Sequence, residues 1–163
     1  MPRDVREFED VTEVPGLPVS RIQLDRTYHH YQTALDCVHG RDVLEVACGA
    51  GQGLGYLGRE ATRVVGGDRT ATNLALARQA TAGRVALVRL DAQALPFASA
   101  RFDAVVMLEA LYYLPDARAA IGECRRVLRS GGVIVLSTVN RAWPDFGRSI
   151  RSTRYFDSVE LAD

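Results

Sequence analysis

The sequence predicts an α/β domain built on a doubly wound, mostly parallel β-sheet. Short apolar runs rich in β-branched residues recur through the centre of the chain, and segments with helical spacing of apolar residues separate them. Such alternation is typical of βαβ units, which place parallel strands in one sheet with helices on both faces. Because 163 residues are the length of one compact domain, we expect one functional site within a domain, not a site between two domains.

Five apolar runs are predicted to be the strands. Each is nearly continuous, without the polar alternation of a half-exposed strand, as expected for strands that are buried on both faces. The runs cover residues 43–47, 63–67, 85–90, 102–108 and 133–139. Between them, helical spacing predicts helices over residues 70–81 and 116–129.

The first part of the chain is predicted to hold an irregular arm and a covering helix. The arm is residues 1–19, which contain several prolines and glycines, and the domain is residues 20–163. Between residues 20 and 38, apolar side chains recur roughly on one side of a helix, which predicts one helix or a pair packed over the sheet. The residues on this predicted apolar side are Ile22, Tyr28, Tyr31, Leu35 and Val38.

Composition and charge limit the class of partner. Twenty basic residues balance twenty acidic ones, so no global field draws the chain to nucleic acid or to an anionic membrane. The sequence has no apolar run as long as the ~18 residues of a membrane span, and none of signal-peptide type at its start. We therefore expect a cytoplasmic protein with a small or weakly charged partner, and no nucleic-acid or membrane partner.

The cysteines do not indicate a metal site. Cys37, Cys48 and Cys124 form no C-x-x-C pair and have no histidine at ligand spacing. Their odd number favours a reducing compartment, and Cys48 is predicted to be a small buried residue in a turn.

The strongest local signal is a glycine-rich turn directly after the first predicted strand. Residues 43–53 read Val-Leu-Glu-Val-Ala-Cys-Gly-Ala-Gly-Gln-Gly. A ligand can approach the backbone there, because glycines lack a Cβ atom and the following helix offers unpaired N–H groups. A dinucleotide site would need its third glycine where Leu54 stands, and the G-x-G-x-x-G pattern that starts at Gly53 lies too far beyond the strand. A purely structural turn is the other interpretation.

The turn Glu45-x-x-x-Gly49-x-Gly51-x-Gly53 resembles the first motif of the class I S-adenosylmethionine-dependent methyltransferases, with the small residue Ala47 in place of the motif's first glycine. The resemblance spans about residues 20–160 and implies a Rossmann-like sheet in the strand order 3-2-1-4-5. It implies S-adenosylmethionine as the cofactor. It also makes Glu45, Ala47, Gly49 and Gly51 candidate cofactor-binding residues.

Carboxylates at the ends of two later strands fit the same cofactor. Asp68 ends the second predicted strand, where it can accept two hydrogen bonds from neighbouring ribose hydroxyls. The alternative for Asp68 is a solvated cap of the next helix. After the third strand, the resemblance implies that Asp91 takes the adenine amino group and that the backbone N–H of Ala92 meets a ring nitrogen. Arg69, beside Asp68, is a further candidate.

Segments elsewhere agree with this family in order and spacing. Residues 109–116 resemble the segment that lines the methionine side of the cofactor, which makes Leu108 and Glu109 candidates. Residues 26–31 resemble an aromatic-rich helix that covers the cofactor in members acting on small molecules, which makes Tyr31 a candidate.

The catalytic residue is the least determined part of the prediction. The cofactor is already a strong electrophile, so the protein mainly positions the acceptor and no fixed set of catalytic side chains is required. His29 and His30 are candidates for a general base, with a surface or packing role as the alternative. Tyr112 is a candidate for shaping the acceptor pocket, with core packing as its alternative.

The sequence thus predicts a methyltransferase that acts on a small-molecule acceptor. A non-catalytic S-adenosylmethionine-binding or interaction protein derived from the same fold is the alternative. The family's sheet usually continues after the fifth strand with a helix and an antiparallel hairpin, which we expect to be absent. The strand at 133–139 would then lie at the sheet edge, which predicts a homo-oligomer or a partner that covers it.

Overall fold

Five parallel strands form the sheet in the computed structural model, which describes residues 18–144, 146–148 and 152–161. The strand order is 3-2-1-4-5 and each neighbouring pair is parallel, so the predicted fold class is confirmed. The strands are β1 (Asp42–Val46), β2 (Arg63–Asp68), β3 (Ala86–Arg89), β4 (Phe102–Leu108) and β5 (Leu128–Ser137).

Helices cover both faces of this sheet. They are α1 (Arg21–Val38), α2 (Leu54–Glu60), α3 (Ala71–Ala80) and α4 (Ala117–Val127). The predicted arm lies outside the described residues except for residues 18 and 19, which belong to no helix or strand. None of the helices within the described ranges is long and apolar enough to cross a membrane.

Two apolar clusters lie on opposite faces of the sheet. Helices α1, α2 and α3 pack on one face, where Val43 of β1 is fully buried. Helix α4 packs on the other face, where Leu44 and Val46 of the same strand are fully buried. Successive side chains of a strand point to opposite faces, so a strand covered on both sides needs the unbroken apolar run that the sequence shows.

The predicted apolar side of α1 is wrong in its first half. Val38 is fully buried, but Ile22 is 79% exposed and Tyr28 is 47% exposed. The cause is that the first half of the helix does not pack on the sheet. It borders a cavity instead, and the side of the helix that faces the cavity is a polar stripe. The residues of this stripe are Gln23, Arg26, Thr27, His30 and Tyr31.

The junction between α4 and β5 also differs from the prediction. The helix ends at Val127 instead of residue 129, and the strand begins at once and ends at Ser137. A register shift opposite Phe102 and Ala104 accommodates the two glycines 131 and 132 within the strand. Beyond β5, no further strand of the described residues pairs with its outer edge. Pairing of this edge by a second copy or another chain stays a prediction.

A capping residue fixes where α4 begins. The Asp116 carboxylate accepts a hydrogen bond from the Ala119 N–H at 2.9 Å. We expect Asp116→Ala to lower the free energy of unfolding by about 1 kcal/mol, because that N–H loses its partner. Asp116→Asn retains an acceptor and should unfold close to the unchanged chain in urea titrations. Equal stability of the alanine and asparagine variants would contradict this account of the cap.

Candidate functional site

A cavity of about 350 Å³ opens where the strands end. Its walls include Val46, Asp68 and Leu108, which end β1, β2 and β4, and Leu90, which follows β3. The first half of α1 forms another wall. In open parallel sheets, ligands bind outside the carboxyl ends of the strands, and this volume is typical of small-molecule sites.

The Asp68 carboxylate connects the glycine-rich loop to the end of β2. One oxygen accepts a hydrogen bond from the Gly49 N–H at 2.9 Å. The other accepts from the Thr70 N–H at 2.8 Å and from the Asn73 side-chain amide at 3.3 Å. A carboxylate offers about four acceptor positions. Groups of the chain itself occupy three of these positions. One position remains, whereas the predicted hydrogen bonds to two ribose hydroxyls need two.

Backbone conformation brings the loop close to its neighbours. Ala47 has a φ of 60° and Gly51 a φ of 81°, in the left-handed region that L side chains seldom adopt. A Cβ atom on Gly51 would lie 2.8 Å from the Cβ of Ala77 in α3. Gly51 therefore allows the loop to pack against α3. Contrary to its predicted place in the cofactor site, it does not line the cavity.

Glu45 lies behind the loop and not in the cavity wall, because β1 directs its side chain into the protein under α1. Only 2% of the residue is exposed, and one carboxyl oxygen accepts a hydrogen bond from the Tyr31 hydroxyl at 2.6 Å. Burial, with a smaller contribution from the Asp68 charge, raises the pKa of Glu45 from 4.5 to about 7, although the Tyr31 hydrogen bond opposes the change. Its other oxygen is buried with no hydrogen-bond partner among the described residues.

The Tyr31 ring packs directly over Gly53. A Cβ atom at that position would overlap the ring. Gly53 thus permits the contact between α1 and the loop, and the Tyr31 hydroxyl then reaches Glu45. Through one side chain, the covering helix is joined both to the loop and to β1.

Asp91, Ala92 and Arg69 form one end of the cavity. One Asp91 oxygen accepts a hydrogen bond from the Gln93 N–H at 2.9 Å. The other lies 3.6 Å from an Arg69 guanidinium nitrogen. Both partners of this ion pair are substantially exposed, so a ligand can reach them.

Glu109 stands at the opposite end of the cavity, directly after β4. Its carboxylate accepts a hydrogen bond from the Ser137 hydroxyl at 2.6 Å and one from the Tyr112 hydroxyl at 3.1 Å. Its backbone has a φ of 54°, a conformation that the surroundings must hold in place. A hydrogen bond from the Glu109 N–H to the Ser137 carbonyl, at 2.9 Å, contributes to holding it.

His30 approaches the same carboxylate from α1. Its Nε2 atom lies 3.2 Å from the Ser137 hydroxyl oxygen and 3.9 Å from a Glu109 oxygen. Burial lowers the pKa of His30, while the Glu109 charge opposes that change and Arg26 and His29 add to it. The neutral imidazole is therefore favoured near pH 7. The pKa of Tyr112 is raised by burial and by the Glu109 charge, so its hydroxyl remains a donor.

Most of the predicted site residues meet at this one cavity. Those that line it are His30, Tyr31, Ala47, Gly49, Asp68, Arg69, Asp91, Ala92, Leu108, Glu109 and Tyr112. His29, a candidate base, does not line it: the residue is exposed and its ring packs edge-on against Tyr28. Neighbouring residues on a helix point about 100° apart, so only one of two adjacent histidines faces the cavity.

Two features of this region are not among the sequence predictions: the polar stripe of α1 in the cavity wall, and Ser137, which contacts Glu109 and His30 without lining the cavity. The polar stripe of α1 follows the spacing i, i+3, i+4, i+7 and i+8 of one helix face; a search for polar as well as apolar faces would have found it. The sequence predicts Ser137 within the fifth strand and assigns it no role. Its contact with His30, 107 positions away in the chain, leaves no local signal.

Comparisons with known proteins agree with this geometry. The sequence profile of a family described as "Methyltransferase domain" matches residues 44–136. A ubiquinone biosynthesis O-methyltransferase of Bradyrhizobium sp. is 33% identical over 132 residues, which are 80% of this chain and 52% of that protein. A probable S-adenosylmethionine-dependent methyltransferase of Mycolicibacterium smegmatis is 34% identical over 154 residues, 92% of this chain and 60% of that protein. The chain thus spans only 52% to 60% of the length of these curated relatives.

Solved structures show the same similarity. A structure described as a putative methyltransferase from Bacillus halodurans has a TM-score of 0.62 and 28% identity, over 66% of this chain and 48% of that one. The structure of a complex of DhpI with SAH has a TM-score of 0.68 and 27% identity, over 86% of this chain and 74% of that one.

The contact between Tyr31 and Gly53 can be tested by adding one methyl group. We expect Gly53→Ala to lower the free energy of unfolding by about 1 to 3 kcal/mol, because displacing Tyr31 removes the remaining partner of a buried carboxyl group. Gly55→Ala is the matched control, since a Cβ atom there meets nothing within 4 Å. In a helix, that change should stabilise the chain by about 0.5 to 1 kcal/mol. If both variants shift urea unfolding equally, the contact has no special role.

The buried Glu45 predicts a specific dependence of stability on pH. A carboxyl pKa raised in the folded state stabilises the chain fully below pH 4.5, and this contribution is lost as the pH rises through about 7. Relative to Glu45→Gln, the unchanged chain should therefore lose stability across that range, by at most about 1.4 kcal/mol per pH unit. Urea titrations of both proteins between pH 4 and pH 8 measure the difference, and a constant difference would show that Glu45 titrates normally.

Proposed function

Because the chain belongs to the methyltransferase domain family of class I S-adenosylmethionine-dependent methyltransferases, we propose that it binds S-adenosylmethionine in this cavity and methylates a small-molecule acceptor. The observation that carries the proposal is the convergence of Gly49, Asp68 and Asp91 on one cavity at the carboxyl ends of the strands. The proposed binding domain is residues 20–163, as predicted from the sequence.

The hydrogen-bonding groups of the cavity fit a nucleoside with an amino acid attached. Asp91, exposed at one end, is an acceptor for the adenine amino group, with Ala92 beside it. Asp68 retains one acceptor position for a ribose hydroxyl. Gly49 lines the cavity together with Leu108 and Glu109, and we assign the amino acid portion to this part. We assign Glu45 and Gly51 a supporting role, since they hold the loop without lining the cavity.

When bound, the cofactor supplies a methyl group on a positively charged sulfur, which is a strong electrophile. The residues of the chain then have to orient an acceptor and exclude water. Helix α1 covers the cavity from one side. Tyr112, Tyr113, Leu114 and Pro115 form a mainly apolar wall beside Glu109, which suits an organic small molecule better than a highly charged polymer. The O-methyltransferase name of a relative supports this class of acceptor.

Calorimetry with the 163-residue chain tests the cofactor directly. We expect saturable binding of S-adenosylmethionine and of its demethylated product, and no binding of NAD. Asp68→Ala and Asp91→Ala should each weaken binding about tenfold or more, because each removes charge-assisted hydrogen bonds of roughly 1.5 to 3 kcal/mol.

Glu60→Ala is the matched control, because the Glu60 carboxylate pairs with His39 and does not line the cavity. Its affinity should equal that of the unchanged chain. Unchanged affinity in both aspartate variants, with folding verified by circular dichroism, would refute the site. Cofactor binding without methylation of any acceptor would instead favour a non-catalytic binding protein.

A further inference from the structure

Three segments distant in sequence bring His30, Ser137, Glu109 and Tyr112 together. Three of these residues line one end of the cavity, and Ser137 contacts His30 and Glu109 without lining it. His30 belongs to α1, Ser137 ends β5, and the other two follow β4. The Ser137 hydroxyl lies between the Glu109 carboxylate, at 2.6 Å, and His30 Nε2, at 3.2 Å. Glu109 also lines the proposed cofactor site, but the contacts that join it to His30, Ser137 and Tyr112 are not needed to bind the cofactor and need a separate account.

The network determines which imidazole nitrogen of His30 carries the proton. A serine hydroxyl has a single proton to donate, and the short contact with the Glu109 carboxylate takes it. The Ser137 oxygen can then only accept from His30, which requires a proton on Nε2. In the neutral ring the lone pair therefore resides on Nδ1. Glu109 thus acts through Ser137 to make Nδ1 the basic atom.

The charged groups around His30 keep it neutral and then stabilise its protonated form. Burial is the main cause that lowers the pKa of His30, and Arg26 and His29, on the same helix, lower it further. Glu109 is the opposing group, with a carboxylate oxygen 3.9 Å from Nε2. A proton that arrives on the ring during a reaction would be stabilised by that carboxylate. A buried carboxylate has this effect on the histidine of a serine protease triad.

The wall beside this base is aromatic. The rings of Tyr112 and Tyr113 lie 4.5 Å apart between centroids, and Tyr155 stacks on Tyr112 at 5.2 Å. Tyr112 is 8% exposed and its hydroxyl donates to Glu109, so the ring is held in one position. Such a surface favours a flat, apolar acceptor. Arg26 lines the same cavity, and its positive charge disfavours a cationic acceptor.

We propose that the acceptor is an aromatic hydroxyl and that His30 removes its proton at Nδ1, with Ser137 and Glu109 as positioning residues. This inference rests on the proposed methyltransferase function. A phenol ionises only near pH 10, so at neutral pH a base makes its oxygen far more nucleophilic.

The bonds and charges of this step balance. The acceptor O–H bond breaks and its proton goes to His30 Nδ1. An electron pair of the oxygen forms the bond to the methyl carbon, and the carbon–sulfur pair stays on the sulfur, which becomes neutral. The imidazolium then gives its proton to water. Nothing is oxidised or reduced.

The experiment compares two probes, phenol and the more acidic 4-nitrophenol, as methyl acceptors of the purified chain with S-adenosylmethionine. His30→Gln should lower the rate with phenol about 100-fold or more at pH 7, as expected for loss of a general base. The loss should be less than about fivefold with 4-nitrophenol, because roughly half of this acceptor is already ionised near pH 7 and needs no base. His39→Gln is the matched control, because His39 pairs with Glu60 and does not line the cavity, and it should retain both rates within twofold.

The positioning residues are tested by a second measurement on the protein without cofactor. The chain has three histidines, so nitrogen NMR of the imidazoles can identify His30 by comparison with His30→Gln. We expect the Nε2–H form in the unchanged chain and in Ser137→Thr, which retains a hydroxyl. A mixture of both tautomers is expected in Ser137→Ala and in Glu109→Gln. The same Ser137→Ala variant should lose phenol methylation about tenfold, and Ser137→Thr should recover most of it.

Each result decides between distinct conclusions. If S-adenosylmethionine does not bind, the proposed function itself fails. If it binds but neither phenol is methylated, or if His30→Gln loses both rates equally, only the present inference is overturned. Collapse of cofactor affinity in His30→Gln would likewise overturn it, by showing that His30 serves the cofactor. An Nδ1–H tautomer in the unchanged chain would contradict the role of Ser137.

Discussion

The hydrogen bond from the Gly49 N–H to the Asp68 carboxylate, at 2.9 Å, determines where the cavity lies. It joins the loop after β1 to the end of β2, and a second hydrogen bond, from the Cys48 N–H to the Gly67 carbonyl at 3.0 Å, runs beside it. The loop held by these contacts lines the cavity through Ala47, Cys48, Gly49 and Ala50. The same carboxylate also binds the N–H of Thr70, just ahead of α3. One buried charge therefore fixes a loop, a strand and the start of a helix.

A second constraint comes from above the sheet. Tyr31 packs over Gly53 and binds Glu45, so the position of α1 depends on a glycine in the loop and a carboxyl group in β1. The polar stripe of α1 then faces the cavity, and His30 contacts the Ser137 hydroxyl at 3.2 Å. The two ends of the cavity consequently differ. The Arg69–Asp91 ion pair lies at one end, and a hydrogen-bonded histidine beside aromatic rings lies at the other.

The sheet could be predicted from the sequence because each strand is a nearly continuous apolar run, although only the central strands β1 and β4 are buried under helices on both faces. Val43 and Leu44 are both fully buried although they point to opposite faces. The unbroken apolar run in the sequence indicates this burial on both faces. The loop and Asp68 could also be predicted from the sequence, because the loop follows the end of β1 and Asp68 ends β2. The exposure of Ile22 could not be predicted, because helical periodicity does not show whether a helix packs on a sheet along its whole length.

The contacts between distant segments could not be predicted from local sequence patterns either. Glu45 belongs to a recognisable motif, yet only the structure shows that it contacts Tyr31 behind the loop. Likewise, two adjacent histidines are equivalent in the sequence until the helix orientation makes one face the cavity. Local rules predict elements and strand ends, whereas the partners of buried polar groups depend on how those elements meet.

The central claim is that S-adenosylmethionine binds at the ends of β1, β2 and β3. A titration of the isotope-labelled chain with S-adenosylhomocysteine, followed through backbone amide NMR shifts, tests it residue by residue. The account predicts saturable shifts concentrated at Gly49, Asp68, Asp91 and Ala92. Absence of saturable shifts, or shifts confined to residues outside the cavity, would contradict it.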